Sequence, residues 1–411
     1  MFSIPLAWLQ LKREKARLLV ALAGIGFAVI LMFLQLGFQD ALFESAITMH
    51  RSMNGDIFLL SPQSTALIRM KSFSQVRLYQ SLGFAGVQSV SPVYVGFGIW
   101  KNPFWQGPPA SPTRSIFVIG LNPSDDIFDL PGLKENRDHI RLTDVVLFDS
   151  ASRLEFGPIS EKFKSLTSSD PAIRTEVESR RVEVGGLFRM GASFGSDGNL
   201  ITSDLNFRRI FPNRDPTQID IGVVKLEPGA NLDITLERFK NFPGERRVDP
   251  NKKPEETKED FLVGDVRVMS KAAFVSLEQN YWKESTAIGF IFTLGTAIGF
   301  VVGTVIVYQV LYTDVADHLA EYATLKAMGY TNRYLFSVVF QEALILSIMG
   351  YIPGYFLCIG LYKLTRTATA LPLAMTATRG MIVLVLTILM CVISGAIAVR
   401  KVQQADPADI F

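Results

Sequence analysis

Four stretches of this chain are long and apolar enough to cross a lipid bilayer, and every other feature has to be placed around them. They are LLVALAGIGFAVILMFLQLGF (Leu18 to Phe38), AIGFIFTLGTAIGFVVGTVIVYQVLY (Ala287 to Tyr312), YLFSVVFQEALILSIMGYIPGYFLCIGLY (Tyr334 to Tyr362) and MIVLVLTILMCVISGAIAV (Met381 to Val399). A helix needs about 20 mostly apolar residues to span the hydrocarbon layer. Only 19% of the 411 residues are charged, against about a quarter in a soluble domain, which leans the chain towards membrane. The first run is longer than the apolar part of a signal peptide. No clear small-x-small cleavage site follows it before Asp40, so it reads as an anchor.

Basic residues set the expected orientation, because cytoplasmic flanks are enriched in Lys and Arg. Lys12, Arg13, Lys15 and Arg17 precede the first run, and Arg400 and Lys401 follow the fourth. Both termini are therefore expected in the cytoplasm. Arg366 and Arg379 flank the short loop between the third and fourth runs and pull the other way.

The fold expected is an integral membrane α-helical protein with four transmembrane helices in a 1+3 topology. A large extracytoplasmic α+β domain lies between the first and second spans. The expected segments are an amphipathic N-terminal helix (1–17), span 1 (18–39), the external domain (40–283), span 2 (284–312), a short cytoplasmic helix (313–333), span 3 (334–364), a loop (365–379), span 4 (380–400) and a cytoplasmic tail (401–411).

The external insert is long enough for two subdomains. GDIFLL, YVGFGIW, RSIFVIGL, DVVLFD, RVEVGGLF and IDIGVVKL read as strands, being β-branched and aromatic with Gly, Pro, Asn or Asp at their ends. FSQVRLYQSL and ITLERFKNF read as helices. Phe242 to Asp260 is charged and proline-bearing and reads as an exposed excursion. Lys271 to Ser285 reads as a helix feeding span 2, with Tyr281 and Trp282 at the membrane interface.

The segment DVADHLAEYATLKAMGY (Asp314 to Tyr330) is too polar to span and too regular for a plain loop. Taken as a helix it has three faces. Asp314, Asp317 and Glu321 form an acidic stripe; Val315, Leu319 and Tyr322 form a second; Ala316, Ala320, Ala323 and Ala327 form a third. Gly329 supplies the stop. The segment is either a solvated connector or a docking helix that couples the spans to a cytoplasmic motor.

Three further features stand out in the spans. Gly295, Gly299 and Gly303 recur every fourth residue, a ridge that lets helices approach closely either within one subunit or at a dimer or moving interface. Gly350, Pro353 and Gly354 mark a bend, either static or hinged. Glu342 lies roughly two turns into span 3. An ionisable residue there is a functional candidate, although it is close enough to the interface to snorkel. In the insert, Trp100, Phe104 and Trp105 sit among Gly and Pro. They either grip a partner such as an adaptor or fold back over the core.

Several chemistries are excluded. The net charge is +2, with no basic field for nucleic acid. The cysteines, Cys358 and Cys391, lie in apolar runs, and the histidines (His50, His139, His318) are scattered, so no metal spacing exists. There is no G-x-S-x-G, H-E-x-x-H or Cys-x-x-Cys. No G-x-x-x-x-G-K-[ST] occurs, so the chain binds no ATP by a P-loop and no cofactor site of its own is expected.

Here the residues reach a family. LAEYATLKAMGYTNRYLFSVVFQEALILSIMG resembles the segment between the second and third spans of FtsX/MacB-type ABC permeases, with its Ala327-Met328-Gly329 turn and early acidic residue Glu342. IPLAWLQLKREKARLLVALAGIGFAV resembles the family's basic lead-in, VRKVQQADPADIF its closing tail, and RRVEVGGLFRMG a strand-turn-strand element of its external domain. The residue-level likeness covers under half of the chain, and the 1+3 topology covers the rest. The form YTDVADHLAEYATLKAMGY is most similar to the cyanobacterial DevC-like branch, the membrane subunit of a heterocyst glycolipid exporter. Where many members carry Ile-Gly after the glutamate, this chain has Tyr322 and Ala323, which implies an ATPase matched to its own branch.

The resemblance implies an inner-membrane homodimer working with a separate ABC ATPase that holds ATP and Mg. MacB itself carries its ATPase ahead of span 1, whereas here the first apolar run begins at Leu18. It further implies a periplasmic adaptor (membrane fusion protein), a TolC-like outer-membrane channel, and export of a glycolipid or other amphiphile. ATPase coupling then falls to Asp314, Asp317, His318, Glu321, Tyr322, Leu325, Lys326, Met328 and Gly329. The rival readings are an FtsX-like regulator of a cell-wall hydrolase and a lipoprotein-releasing permease. The large insert favours export.

Overall fold

The computed structural model describes residues 15–107, 112–167, 170–240, 246–247, 260–318, 321, 324, 328, 331–369 and 371–404. The expected N-terminal helix up to Glu14, the end of the tail from Ala405 and nearly all of the charged excursion at 242–260 lie outside them. Two compact units are present. One comprises Met1–Ala41 with Ala287–Phe411, and the other is Leu42–Thr286.

The first unit is helical, and its four helices carry the four apolar runs: α1 (Lys15–Ser52), α2 (Ala287–Asp317), α3 (Asn332–Thr369) and α4 (Ala377–Gln404). All four are long and apolar enough to cross a membrane. Helix bounds differ from expectation at polar ends. α2 continues past Tyr312 to Asp317, so Asp314 and Asp317 complete its last turn rather than open a new helix. α3 continues to Thr369 and runs unbroken through Pro353. Outward faces are apolar: on α2, Phe290, Ile291, Ile298 and Val301 are exposed, as helices bathed in lipid require.

The second unit is an α/β domain inserted between α1 and α2. Its strands are β1 (Ile57–Leu60), β2 (Phe73–Ser74), β3 (Val87–Lys101), β4 (Thr113–Leu121), β5 (Val145–Asp149), β6 (Arg174–Val177), β7 (Arg180–Phe188), β8 (Asn199–Ser203), β9 (Gln218–Ile219), β10 (Ile221–Leu226), β11 (Arg246–Arg247), β12 (Asp260–Val263) and β13 (Val266–Ser270). Eleven form one sheet in the order β11-β12-β13-β1-β10-β3-β4-β8-β5-β7-β6, and β2 pairs with β9 apart from it. The pairs β4–β8 and β5–β7 are parallel. One sheet thus takes in eleven of these thirteen strands.

Both faces of the central sheet are covered, and the sequence pattern follows from that. Ile57 and Leu59 of β1 enter one apolar core with Val146, Phe148 and Leu200. Phe58 and Leu60 enter the other with Leu147, Ile201 and Val223. A strand buried on both sides reads as a continuous apolar run, not an alternating one. The helix Lys271–Glu284 closes the domain, capped by Ser270, whose side chain accepts from the Ala273 N–H.

Candidate functional site: a charged node joining three apolar helices

At the Asp314 end of the helical unit, charged side chains from three helices converge. Arg17 of α1 lies 2.5 Å from Asp317 and 3.7 Å from Asp314 of α2. His318 sits in the turn that ends α2. Its Nδ1 is 3.0 Å from the Asp314 carbonyl and 3.7 Å from its carboxylate. Glu342 of α3 is fully buried, and Asp314 and His318 are nearly so. A small cavity among them is lined by Arg17, Leu18, Asp314, Glu342 and Leu346, with others. No described N–H or O–H donates to either carboxyl oxygen of Glu342. A buried carboxyl in an apolar bundle is costly unless paired. Glu342 therefore does not snorkel; it is enclosed against the Asp314–Arg17 pair.

The expected coupling residues divide accordingly. Asp314, Asp317 and His318 belong to this node. Glu321 and Met328 are exposed, and the Met328 N–H donates to the Thr324 carbonyl at 3.0 Å, one helical turn. Tyr322, Leu325, Lys326 and Gly329 lie outside the described residues. Arg17 had entered the sequence reading only as a topology signal. Its partners lie about 300 positions away, beyond any periodic pattern.

The other end of the bundle holds a second polar tie. Arg379 of α4 is 5% exposed. It donates to Asp40 of α1 at 2.6 and 3.1 Å, to the Ala374 carbonyl at 2.8 Å and to the Tyr362 hydroxyl at 3.4 Å. The Tyr362 hydroxyl in turn donates to the Phe33 carbonyl of α1. Arg379 is thus a buried structural cation neutralised by Asp40.

The glycine ridge packs inside the chain. A Cβ on Gly295 would lie 2.6 Å from Gln35 of α1, and one on Gly303 would lie 2.7 Å from the Ala28 Cβ and collide with Met390 of α4. A Cβ on Gly299 would meet Leu31 and Met32 at an ordinary 3.5 Å. On α3, Gly350 faces Ile25 and Gly354 faces Val29. Small residues let these backbones close up where no hydrophobic effect drives helices together.

In the inserted domain the three loop aromatics part company. Trp100 is fully buried and donates to the Phe156 carbonyl at 3.1 Å. Phe104 packs against the core, and Trp105 is 49% exposed. Only Trp105 keeps a ring free to contact a partner. Trp282 is also a correction. It is buried within the domain, edge-on to Phe194, with its indole N–H donating to Glu278 at 2.7 Å, rather than lying at a membrane interface. Glu278 is 2% exposed, and burial pushes its carboxyl up to about 7, against the pull of the Leu67 and Trp282 N–H groups. Cys358 and Cys391 are buried thiols. Among the described residues, no group of three or more His, Cys, Asp or Glu is placed to hold a metal ion.

Four apolar helices with an α/β domain inserted after the first define a multi-pass membrane protein of 1+3 topology. Residues 293–407 match the FtsX-like permease C-terminal family model. Comparison with curated proteins finds no match. Among solved structures, the chain is similar to the periplasmic region of MacB from Actinobacillus actinomycetemcomitans, at 15% identity and TM-score 0.33, covering 56% of this chain and 95% of that one. It is also similar to the extracellular domain of the noncanonic ABC-type transporter YknZ from Gram-positive bacteria, at 13% identity and TM-score 0.30, covering 46% and 89%. Both likenesses are too distant to bear on function.

Proposed function

We propose that this chain is the permease subunit of an ABC exporter of the DevC-like branch. It sits in the inner membrane as a homodimer, with both termini in the cytoplasm. The observation that carries the reading is the charged node. Arg17 ties the start of α1 to Asp314 and Asp317 at the end of α2, and Glu342 of α3 lines the same small cavity as Arg17 and Asp314. The segment beyond His318 leaves directly from that node. A partner ATPase that grips this segment, with Glu321 and Lys326 as contacts, would move three helices at once.

ATP and Mg belong to that partner, since this sequence has no P-loop. The inserted domain, in the periplasm, engages a membrane fusion adaptor, and a TolC-like channel completes the route. A glycolipid or another amphiphile is the cargo, on the strength of the branch resemblance.

The test is a photo-crosslinking residue in place of the exposed Trp105 in native membranes. Capture of an adaptor supports export. Capture of a cell-wall hydrolase instead makes the chain an FtsX-like regulator. A complex holding a second, different permease points to lipoprotein release.

A further inference from the structure

His50 and Glu278 form a buried pair that the transport reading does not use. His50 lies near the C-terminal end of α1, and Glu278 on the helix Lys271–Glu284 that precedes α2 in the chain. Their side chains are 1% and 3% exposed, with His50 Nε2 3.5 Å from a carboxyl oxygen of Glu278. That same oxygen accepts the Leu67 N–H at 2.7 Å, and the other accepts the Trp282 indole N–H at 2.7 Å. The imidazole packs on Phe274, with ring centroids 4.3 Å apart. The Ala46 carbonyl, one helical turn back, interacts with the ring, while Nε2 makes no hydrogen bond among the described residues. An orphan ring nitrogen beside a buried carboxyl is a defect in a folded domain, unless a proton sits between them.

Among the described residues, no cation is placed to neutralise the carboxylate. On α1, Arg51 is ion-paired with Glu44, and both are exposed. At the near end of the second helix, Lys271 donates to the Met53 carbonyl. On the turn Leu67–Arg69, Arg69 lies over the Tyr281 ring. Lys283 and Glu284 complete the charged residues of the second helix, and neither forms a described contact with the pair. His50 is the one titratable group at the carboxyl among the described residues.

We propose that His50 and Glu278 share a single proton and act as a proton-responsive clasp between the end of α1 and the helix that leads into α2. With the proton, Glu278 donates to His50 Nε2 while keeping the Leu67 and Trp282 N–H groups, and every polar atom it presents is paired. Without it, a carboxylate is buried with N–H donors but no countercharge. Water must then enter, and the contact between the two helices loosens. The elevated carboxyl of Glu278, at about 7, puts this change near neutral pH. The clasp would make the inserted domain responsive to the acidity of its compartment. It stands whether the chain exports a cargo or regulates a partner.

Trp282 is a built-in reporter, because its indole donates directly to Glu278. The experiment uses the full chain in lipid nanodiscs, with tryptophan emission followed from about pH 5 to about pH 9. The expected result is a titration centred near 7 that disappears in Trp282→Phe and in Glu278→Gln, and whose midpoint moves in His50→Asn. A midpoint at the ordinary carboxyl value overturns the proposal, as does a titration that survives Glu278→Gln. So does a midpoint unmoved by loss of His50, which would reduce His50 to packing. Should Glu278→Gln fail to fold, the infrared carbonyl band of a protonated carboxylic acid in the wild type decides the matter. A band that fades only as pH passes 7 supports the shared proton, and one already lost by pH 6 contradicts it.

Discussion

The guanidinium of Arg379 lies 2.6 Å from the carboxylate of Asp40, although 339 positions separate them in the chain. The pair is lopsided: the Arg379 side chain is 6% exposed and that of Asp40 53%. Desolvation therefore falls mainly on the cation. Asp40→Ala strands a buried guanidinium and is expected to cost about 3 kcal/mol. Arg379→Met leaves a solvated carboxylate and is expected to cost about 1 kcal/mol. The double variant should be more stable than Asp40→Ala alone. Thermal melting in detergent checks the order, and equal losses from the two single variants would count against it.

Gly303 and Gly299 are one turn apart, yet they should respond differently. Gly303→Ala forces its Cβ into Ala28 and Met390, whereas Gly299→Ala meets only ordinary contacts. Expected losses are about 2 kcal/mol for the first and within about 0.5 kcal/mol for the second. Melting temperatures of the two variants read this directly. A tolerated Gly303→Ala would mean that α2 does not pack against α1 and α4 as described.

The contribution of Glu278 to stability should fall as pH rises through its range. Its folded carboxyl titrates at about 7 against an ordinary 4.5. The folded state therefore holds a proton that the unfolded state has released between those values. The stabilising contribution is complete below about 4.5 and lost by about 7, on the order of 3 kcal/mol in total. His50 works the other way, because burial lowers it to about 3 whereas the unfolded chain protonates it below about 6.5, so the two slopes offset in the wild type. In chemical denaturation, Glu278→Gln should leave stability rising with pH across that range. Parallel slopes in both proteins would remove Glu278 as the cause.

Arg17→Gln tests the node. The substitution keeps length and polarity but withdraws the cation from Asp314 and Asp317. Transport is expected to fall about tenfold while hydrolysis by the partner ATPase continues, the mark of a lost coupling energy. An equal fall in both activities would instead point to loss of ATPase docking or of the fold.

The parts legible in the sequence were those with a local signature. A run of about 20 apolar residues can hardly be anything but a span, and β-branched runs such as VVLFD in β5 are strands wherever they fall. β8, with the sequence NLITS, gave no such signal; it is a strand because its neighbours β4 and β5 pair with it. Trp282 followed the usual rule for a tryptophan ahead of a span, but a buried carboxyl one turn earlier outweighed the rule by offering its N–H a partner. Glu342 was visible as an anomaly, whereas the groups it faces were not, because Arg17 and Asp314 reach it only through folding. The glycine ridge was equally readable, but which helix it faced was a question of packing and not of spacing.

The central claim is that the charged node transmits the work of a separate ATPase. The most direct test is purification of the full chain from native membranes in mild detergent, with every co-eluting protein identified and its stoichiometry counted. The account predicts an ABC ATPase at one copy per permease, retained in the wild type and in Arg17→Gln, and released when Glu321 and Lys326 are both replaced by Ala. A permease that elutes with no ATPase in any of these preparations would contradict it.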